Sequence, residues 1–239
     1  TDREIGNVRP GSGPWVIEAD ESDRSLLAFR PDWAIVTNMS GDHFGIEETR
    51  RLFETFRRQV RRAVIGPELP VPDGEPFAPV LERDQVHFSW RGLRVRVPVP
   101  GRHNAENALQ ALTLCAALGY APEAAVRALA SFRGIVRRLQ GAEIGARGVA
   151  MIDDYAHNPA KIEAAWRTVA PHYGRVLGVW RPHGFGPLAA MMDELAALFP
   201  RLCAGGSRLF LLPVYYAGGT AHARVTADEL ADRVRKAGA

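Results

Sequence analysis

Lysine is almost missing from this chain. Lys161 and Lys236 are its two lysines, so arginine carries nearly all of the positive charge. That charge is modest, +3 net, and it comes in short pairs: Arg57-Arg58, Arg61-Arg62 and Arg137-Arg138. No long basic tract or recognition motif is present, so nucleic acid is not an expected partner. The first two pairs share helical spacing with Phe53 and Phe56, the pattern of a solvated helix face. Cysteine is scarce too. Cys115 and Cys203 stand alone, without metal-binding spacing, which suits a reducing cytoplasm. No apolar run approaches the length of a bilayer span and no signal-peptide pattern opens the chain, so no membrane role is expected. The phosphate-cradling pattern G-x-x-x-x-G-K-[S/T] is absent. The sequence starts at Thr1, not at methionine. The expectation is either that a preceding piece carries that loop, or that triphosphate is not bound in that way.

What is present fits a globular protein. The 239 residues, 46% hydrophobic and 24% charged, make one large domain or two of ordinary size. Residues 14–19 and 33–37 read as buried parallel strands with polar residues at their carboxyl ends, where open α/β sheets place ligands. Residues 45–65 carry Leu52, Phe53, Phe56 and Val60 at helical steps. The proline-rich stretch 66–79 reads as loop. Val86 to Trp90 and Leu93 to Val97 alternate around Arg91-Gly92, a hairpin signal, with His87 a plain strand residue. A helix starts at Asn104 and ends near Leu118 before Gly119, and another runs from Pro122 to Phe132.

Residues 133–148 form a Gly- and Arg-rich join. After it, strand, polar loop and helix repeat three times, with strands at 149–152, 176–180 and 209–212. This pattern predicts an open parallel sheet with its polar tips on one edge. Helices are expected from Ala160 to Ala170, from Leu188 to Leu198, and from a Thr226 cap to Lys236.

Several polar stretches stand out. Glu18 to Asp23 packs four carboxylates into six residues, and Asp42-His43 follows the second apolar run. A carboxylate and an imidazole at strand ends suit a divalent metal on a nucleotide phosphate; the plain alternative is a solvated acidic loop. Asn104 and Asn107 lie one turn apart, either as cap and surface amide or as amides facing a heterocycle.

Seven stretches in this order resemble the Mur ligase family, and within it the alanine-adding branch and the ligases of murein peptide recycling. They are EADESD at 18–23, TNMSGDH at 37–43, PGRHNAEN at 100–107, FRGIVRRLQ at 132–140, DDYAHNP at 153–159, RPH at 181–183 and VYYAGG at 214–219. The resemblance implies an α/β fold. Residues 1–135 would be part of a central ATP-binding domain, with a parallel sheet and a small β-hairpin region. Residues 136–239 would be part of a Rossmann-like C-terminal ligase domain. The UDP-sugar-binding domain and the phosphate loop of the family are not in this sequence.

The resemblance further implies an ATP-dependent, amide-forming ligase in peptidoglycan precursor synthesis or recycling. It would join an amino acid or peptide to a UDP-N-acetylmuramate-type carboxylate through an acyl phosphate. ATP and Mg2+ are the implied cofactors, and Glu18 and His43 the metal ligands. His103, Asn104 and Asn107 would lie against adenine, Arg138 on the γ-phosphate and Asp154 on the ribose. Tyr155, His157 and His183 would face the acceptor or amino acid, with His157, Arg138 and His183 as the catalytic set. Closure of the two domains over the substrates would follow.

Some positions depart from the family. Gly184 and Pro187 stand where two arginines usually grip carboxylates, Asn158 stands for a second histidine, and Gly45 for an aspartate. These changes put L-alanine as the substrate in question. Two other readings stay open: a Mur-derived binding module without ATPase activity, and a Mur-type ligase with another acceptor, such as a polyglutamate- or cyanophycin-type enzyme.

Overall fold

The computed structural model describes residues 11–39, 45–66, 77–144, 148–216, 218 and 225–238. His43 and the stretch 66–79, apart from Gly66 and residues 77–79, lie outside the described residues, as do parts of the 133–148 join and of VYYAGG. The chain divides by its contacts into Thr1–Val64 and Ile65–Ala239.

In the first unit a 3-10 turn at Ser25–Ala28 precedes β1 (Trp33–Ile35), α1 (Ile46–Arg57) and β2 (Ala63–Ile65), whose last residue crosses the division. β1 and β2 form a two-stranded sheet. Leu26, Leu52 and Phe56 make a small core, with Leu27, Phe29, Ala34 and Val60 against it. The helical spacing of Leu52 and Phe56 thus does what the sequence implies, but the helix stops at Arg57 and Ala63–Ile65 is a strand. Residues 14–19 are not the expected strand. Trp15 and Val16 are 91% and 93% exposed, and no described segment pairs with them. An apolar run becomes a strand only where another strand takes up its N–H and C=O groups.

The second unit holds two separate cores. The first is built on β3 (Val80–Leu81), β4 (Val86–Trp90) and β5 (Leu93–Val97), an antiparallel sheet in the order β3-β4-β5. Arg91 and Gly92 both have positive φ, 51° and 71°, as a type I′ hairpin turn needs. The period-2 pattern sends Val86, Phe88, Trp90, Val95 and Val97 inward. They meet Ala105, Ala108, Leu109 and Leu112 of α2 (Arg102–Ala117) and partly buried residues of α3 (Pro122–Ala130). α2 begins two residues before the expected Asn104. Its N-cap is Gly101 at φ 99°, and the Asn104 amide donates back to the Pro100 carbonyl at 2.6 Å.

The second core lies wholly after residue 155. α4 (Pro159–Val169), α5 (Phe185–Cys203) and α6 (Ala227–Lys236) cover one face of β8 (Leu177–Trp180) and β9 (Arg208–Leu211). β8 and β9 are parallel, with Leu177 opposite Arg208 and Trp180 opposite Leu211. Ile162, Leu195, Phe199 and Leu230 are central. Two helix starts follow the sequence closely. Asn158 accepts the Lys161 N–H at 2.8 Å with Pro159 at the first helical position, and Thr226 accepts the Glu229 N–H at 3.1 Å.

The three-strand parallel sheet is corrected. β7 (Val149–Asp153) pairs antiparallel with β6 (Gln140–Ile144), a strand inside the supposed join, and β7 is largely exposed. Apolar content indicates a strand but does not choose its partner. Among the described residues no helix is long and apolar enough to cross a membrane.

Candidate functional site

Five of the ten candidate site residues meet where the segment 135–139 crosses the loop between β7 and α4. Asp154 sits at the centre. Its Oδ2 accepts the backbone N–H of Leu139 at 2.9 Å, and its Oδ1 accepts that of Ala156 at 2.8 Å. The next peptide reinforces the crossing, since the Tyr155 N–H donates to the Arg137 carbonyl at 2.8 Å. Above the Tyr155 ring lie two guanidinium groups, Arg137 at 4.8 Å and Arg138 at 5.8 Å from the centroid. The 135–139 backbone is strained to do this. Arg137 and Leu139 adopt φ 61° and 48°, the left-handed region, which crowds any Cβ against a backbone carbonyl oxygen. The Gln140 side chain steadies it by accepting the Arg137 N–H at 3.0 Å.

His103, in the first turn of α2, belongs to the same locality. Burial pushes its imidazole below the ordinary value of 6.5. The nearby Asp154 and Glu106 carboxylates oppose that shift, and Arg138 adds to it. The net result is a neutral ring beside an anion and a cation. Gly101 makes this approach feasible. A Cβ there would lie 2.7 Å from His103 Cε1 and 3.0 Å from Thr168 Oγ1 of α4.

His157 is oriented by its own loop. Its Nδ1 lies 3.1 Å from the Tyr155 carbonyl, which can only accept, so Nδ1 carries the proton. Nε2 then faces Lys161 Nζ at 3.5 Å. The Tyr155 and His157 rings meet edge to face at 5.4 Å. The Trp180 indole N–H donates to the Ala156 carbonyl at 3.2 Å, tying the end of β8 to this loop.

His183 forms a second grouping at the carboxyl ends of β8 and β9. It bridges to Tyr215 in parallel, and the two rings stand 4.9 Å apart. Gly184 N–H donates to the Tyr215 carbonyl at 2.9 Å, and Tyr215 N–H to the Pro182 carbonyl at 2.8 Å. Arg181 lies over the Tyr215 ring at 5.3 Å and donates to the Pro213 carbonyl at 3.1 Å.

The remaining residues are less drawn in. Asn107 is exposed on α2. Glu18 is exposed in the first unit, and its expected companion His43 is outside the described residues. Two of the carboxylates that follow Glu18 shape turns: Asp20 accepts the Ser22 N–H at 2.7 Å and Asp23 that of Ser25 at 2.8 Å. No group of three or more His, Cys, Asp or Glu suited to a metal occurs among the described residues. Both cysteine thiols are pushed above their ordinary value by burial, so neither offers a ready thiolate.

The sequence reasoning missed Arg137, Leu139 and Lys161. Lys161 had a visible signal, one of two lysines placed four residues after His157. Leu139 acts through its backbone N–H, and Arg137 through its backbone and its guanidinium over Tyr155, in a turn that nothing in the sequence marks.

No family model matches the chain. Individual proteins do. The UDP-N-acetylmuramate–L-alanine ligase of Gloeobacter violaceus is 32% identical over 258 residues, covering 95% of this chain and 54% of that protein. The crystal structure of the UDP-N-acetylmuramate–alanine ligase of Thermotoga maritima superposes with a TM-score of 0.69 at 25% identity, covering 95% of this chain and 54% of that one. MurF from Acinetobacter baumannii has the same fold, with a TM-score of 0.66 at 22% identity over 89% of this chain and 51% of that one. The chain therefore spans about half the length of the curated relatives it matches. On sequence identity of about a third over nearly its whole length, and on the shared fold, the chain belongs to the Mur ligase family.

Proposed function

We propose that this chain forms the nucleotide- and amine-facing part of an ATP-dependent ligase acting on peptidoglycan precursors. It joins an amino acid or peptide to a UDP-N-acetylmuramate-type carboxylate, in the cytoplasm. The observation that carries this reading is the meeting of His103, Arg138, Asp154, Tyr155 and His157, from three separated motifs, at one crossing of the chain.

The chemistry has two steps. An acceptor carboxylate oxygen attacks the γ-phosphorus of ATP, ADP leaves, and an acyl phosphate forms. The amine nitrogen then attacks the acyl carbon, inorganic phosphate leaves, and the amine gives up its proton. The first step spreads negative charge over phosphate oxygens, where a fixed guanidinium fork is effective. Arg138 is proposed for that place because its backbone is locked at both sides, by Asp154 and by Gln140. The second step needs the amine held in line and stripped of water. Tyr155, His157 and His183 are proposed to form that surface.

The nucleotide fits the groups present. Each Asp154 oxygen holds one N–H and keeps a lone pair for a ribose hydroxyl. The Asn104 amide is fixed by Pro100 and keeps its carbonyl and one N–H for a heterocycle, while neutral His103 offers a flat apolar face. Asn107 is proposed beside them. Mg2+, when bound, neutralises phosphate charge; the exposed Glu18 carboxylate suits it, with His43 the proposed second ligand. We also place the division between the nucleotide part and the amine part at 135/136, because one buried cluster lies wholly before it and the other wholly after it.

The test is amine-dependent release of ADP by the native protein, with UDP-muramic acid as acceptor and a panel of amino acids and peptides. Release with one class of amine supports the ligase and names its substrate. ATP binding with no release for any amine would overturn it in favour of a binding module. Release with a different carboxylate acceptor would shift it to another Mur-type ligase.

A further inference from the structure

Asp154 spends both carboxylate oxygens on backbone N–H groups, and one of these lies fifteen residues away, at Leu139. That bond holds Leu139 in the left-handed region, at φ 48°, two residues after Arg137 at φ 61°. Neither residue is glycine, so the conformation does not hold itself. Arg138 lies between these two strained residues. Its own N–H is taken by the Ile135 carbonyl at 3.1 Å, and its guanidinium lies over Tyr155, the neighbour of Asp154. Four ties therefore cross this short span: Leu139 to Asp154, Tyr155 to Arg137, Arg137 to Gln140, and the cation–ring stack.

We infer that Asp154 is a positioning residue for Arg138: its carboxylate latches the strained 137–139 backbone against the loop before α4 and thereby aims the Arg138 guanidinium. The carboxylate that would meet the ribose is then the one that sets the phosphate-facing cation. Occupancy of one end of the nucleotide and readiness at the other are joined through a single side chain. The nucleotide part of this inference rests on the proposed function; the latch itself does not.

Two measurements on the native protein separate these parts. The first is limited trypsin digestion, with fragments assigned by mass. In the wild type, cleavage after Arg137 and Arg138 is expected to be slow for so exposed a segment. D154A loses a charge-assisted tie and releases strain, so cleavage there is expected to rise about tenfold or more. D154N keeps one acceptor oxygen and falls between. Cleavage after Arg57 and Arg175 stays at the wild-type rate, which distinguishes local release from unfolding. Equal cleavage of the 137–138 bonds in wild type and D154A, or an equal rise at every site, overturns the latch.

The second compares affinity for ATP with affinity for adenosine, which shares the ribose but has no phosphate for Arg138. A latch makes D154N lose more affinity for ATP than for adenosine, and the double variant D154N/R138A binds ATP no worse than R138A beyond the shared ribose loss. An equal loss for both ligands means that Asp154 touches ribose alone and overturns the positioning role. If neither ligand binds the wild type, the ligase reading fails, and the digestion still decides the latch.

Discussion

Residues 18–23 and 153–158 look alike as sequence. Each is an acidic stretch directly after an apolar run, and each carries a family motif. In the structure they differ. The run before Asp154 is a strand, β7, paired along its whole length with β6, and the carboxylate is fixed by two N–H groups. The run before Glu18 has no strand partner among the described residues, and Glu18 itself is exposed. Burial does not separate them, because β7 is largely exposed as well. Pairing does. A carboxylate is aimed by what holds the backbone on either side of it, and among the described residues only the Asp154 stretch follows a paired strand.

The sharpest test of this contrast sets a core aromatic against an open one. Phe199 is fully buried and meets the Trp180 ring at 5.6 Å, the same tryptophan that anchors the Ala156 carbonyl. F199A is expected to cost ~3–5 kcal/mol in denaturant unfolding. W15A removes a larger ring, but one exposed to 91%, and is expected to stay within ~0.5 kcal/mol. A large cost at Trp15 would show that residues 14–19 are paired in solution and would erase the difference between the two stretches.

A smaller effect is expected at Gly101, where α2 meets α4. G101A must hold φ 99° and place a methyl 2.7 Å from His103 Cε1. Strain alone is worth ~1–3 kcal/mol, and the imidazole has to shift. Thermal unfolding measures the first and nucleotide affinity the second. A melt and an affinity both like the wild type would mean that His103 is not held close to the crossing.

How much of this was legible beforehand depends on the kind of signal. The β4–β5 hairpin was plain, because alternation and an Arg-Gly turn specify both strands and register. So were the starts of α4 and α6, where cap and proline act within a few residues. α5 was expected from Leu188 but begins at Phe185. Pro187 fell outside the expected helix, yet in a first turn it forfeits an N–H that has no helical partner anyway. The antiparallel β6–β7 pair was missed because side-chain patterns indicate a strand without naming its neighbour. The site shows the same division. His103, Asp154, Tyr155 and His157 were visible as side-chain motifs. The left-handed turns at Arg137 and Leu139 were not, since no glycine marks them.

Asn158 tests the same loop at finer scale. It is buried, and its carbonyl caps α4 through the Lys161 N–H. N158A is expected to cost about 0.5–2 kcal/mol, while N158D keeps the cap. An unaltered melt for N158A would mean that Pro159 alone sets the helix start.

The smallest expected effect is a pH dependence at His103. Its folded value lies below 6.5, chiefly because it is buried, so between those two values the unfolded chain binds a proton that the folded chain refuses. Protonation therefore favours unfolding. The stability that the neutral ring carries is complete above pH 6.5. It falls as the pH drops through the folded value and levels off below it. H103Q should flatten that part of the curve, measured as unfolding midpoints from pH 8 to pH 5. A slope that survives in H103Q would belong to another group. A slope that steepens in D154N would follow from losing the anion that partly offsets the burial of His103, and would place the two side chains in one electrostatic unit.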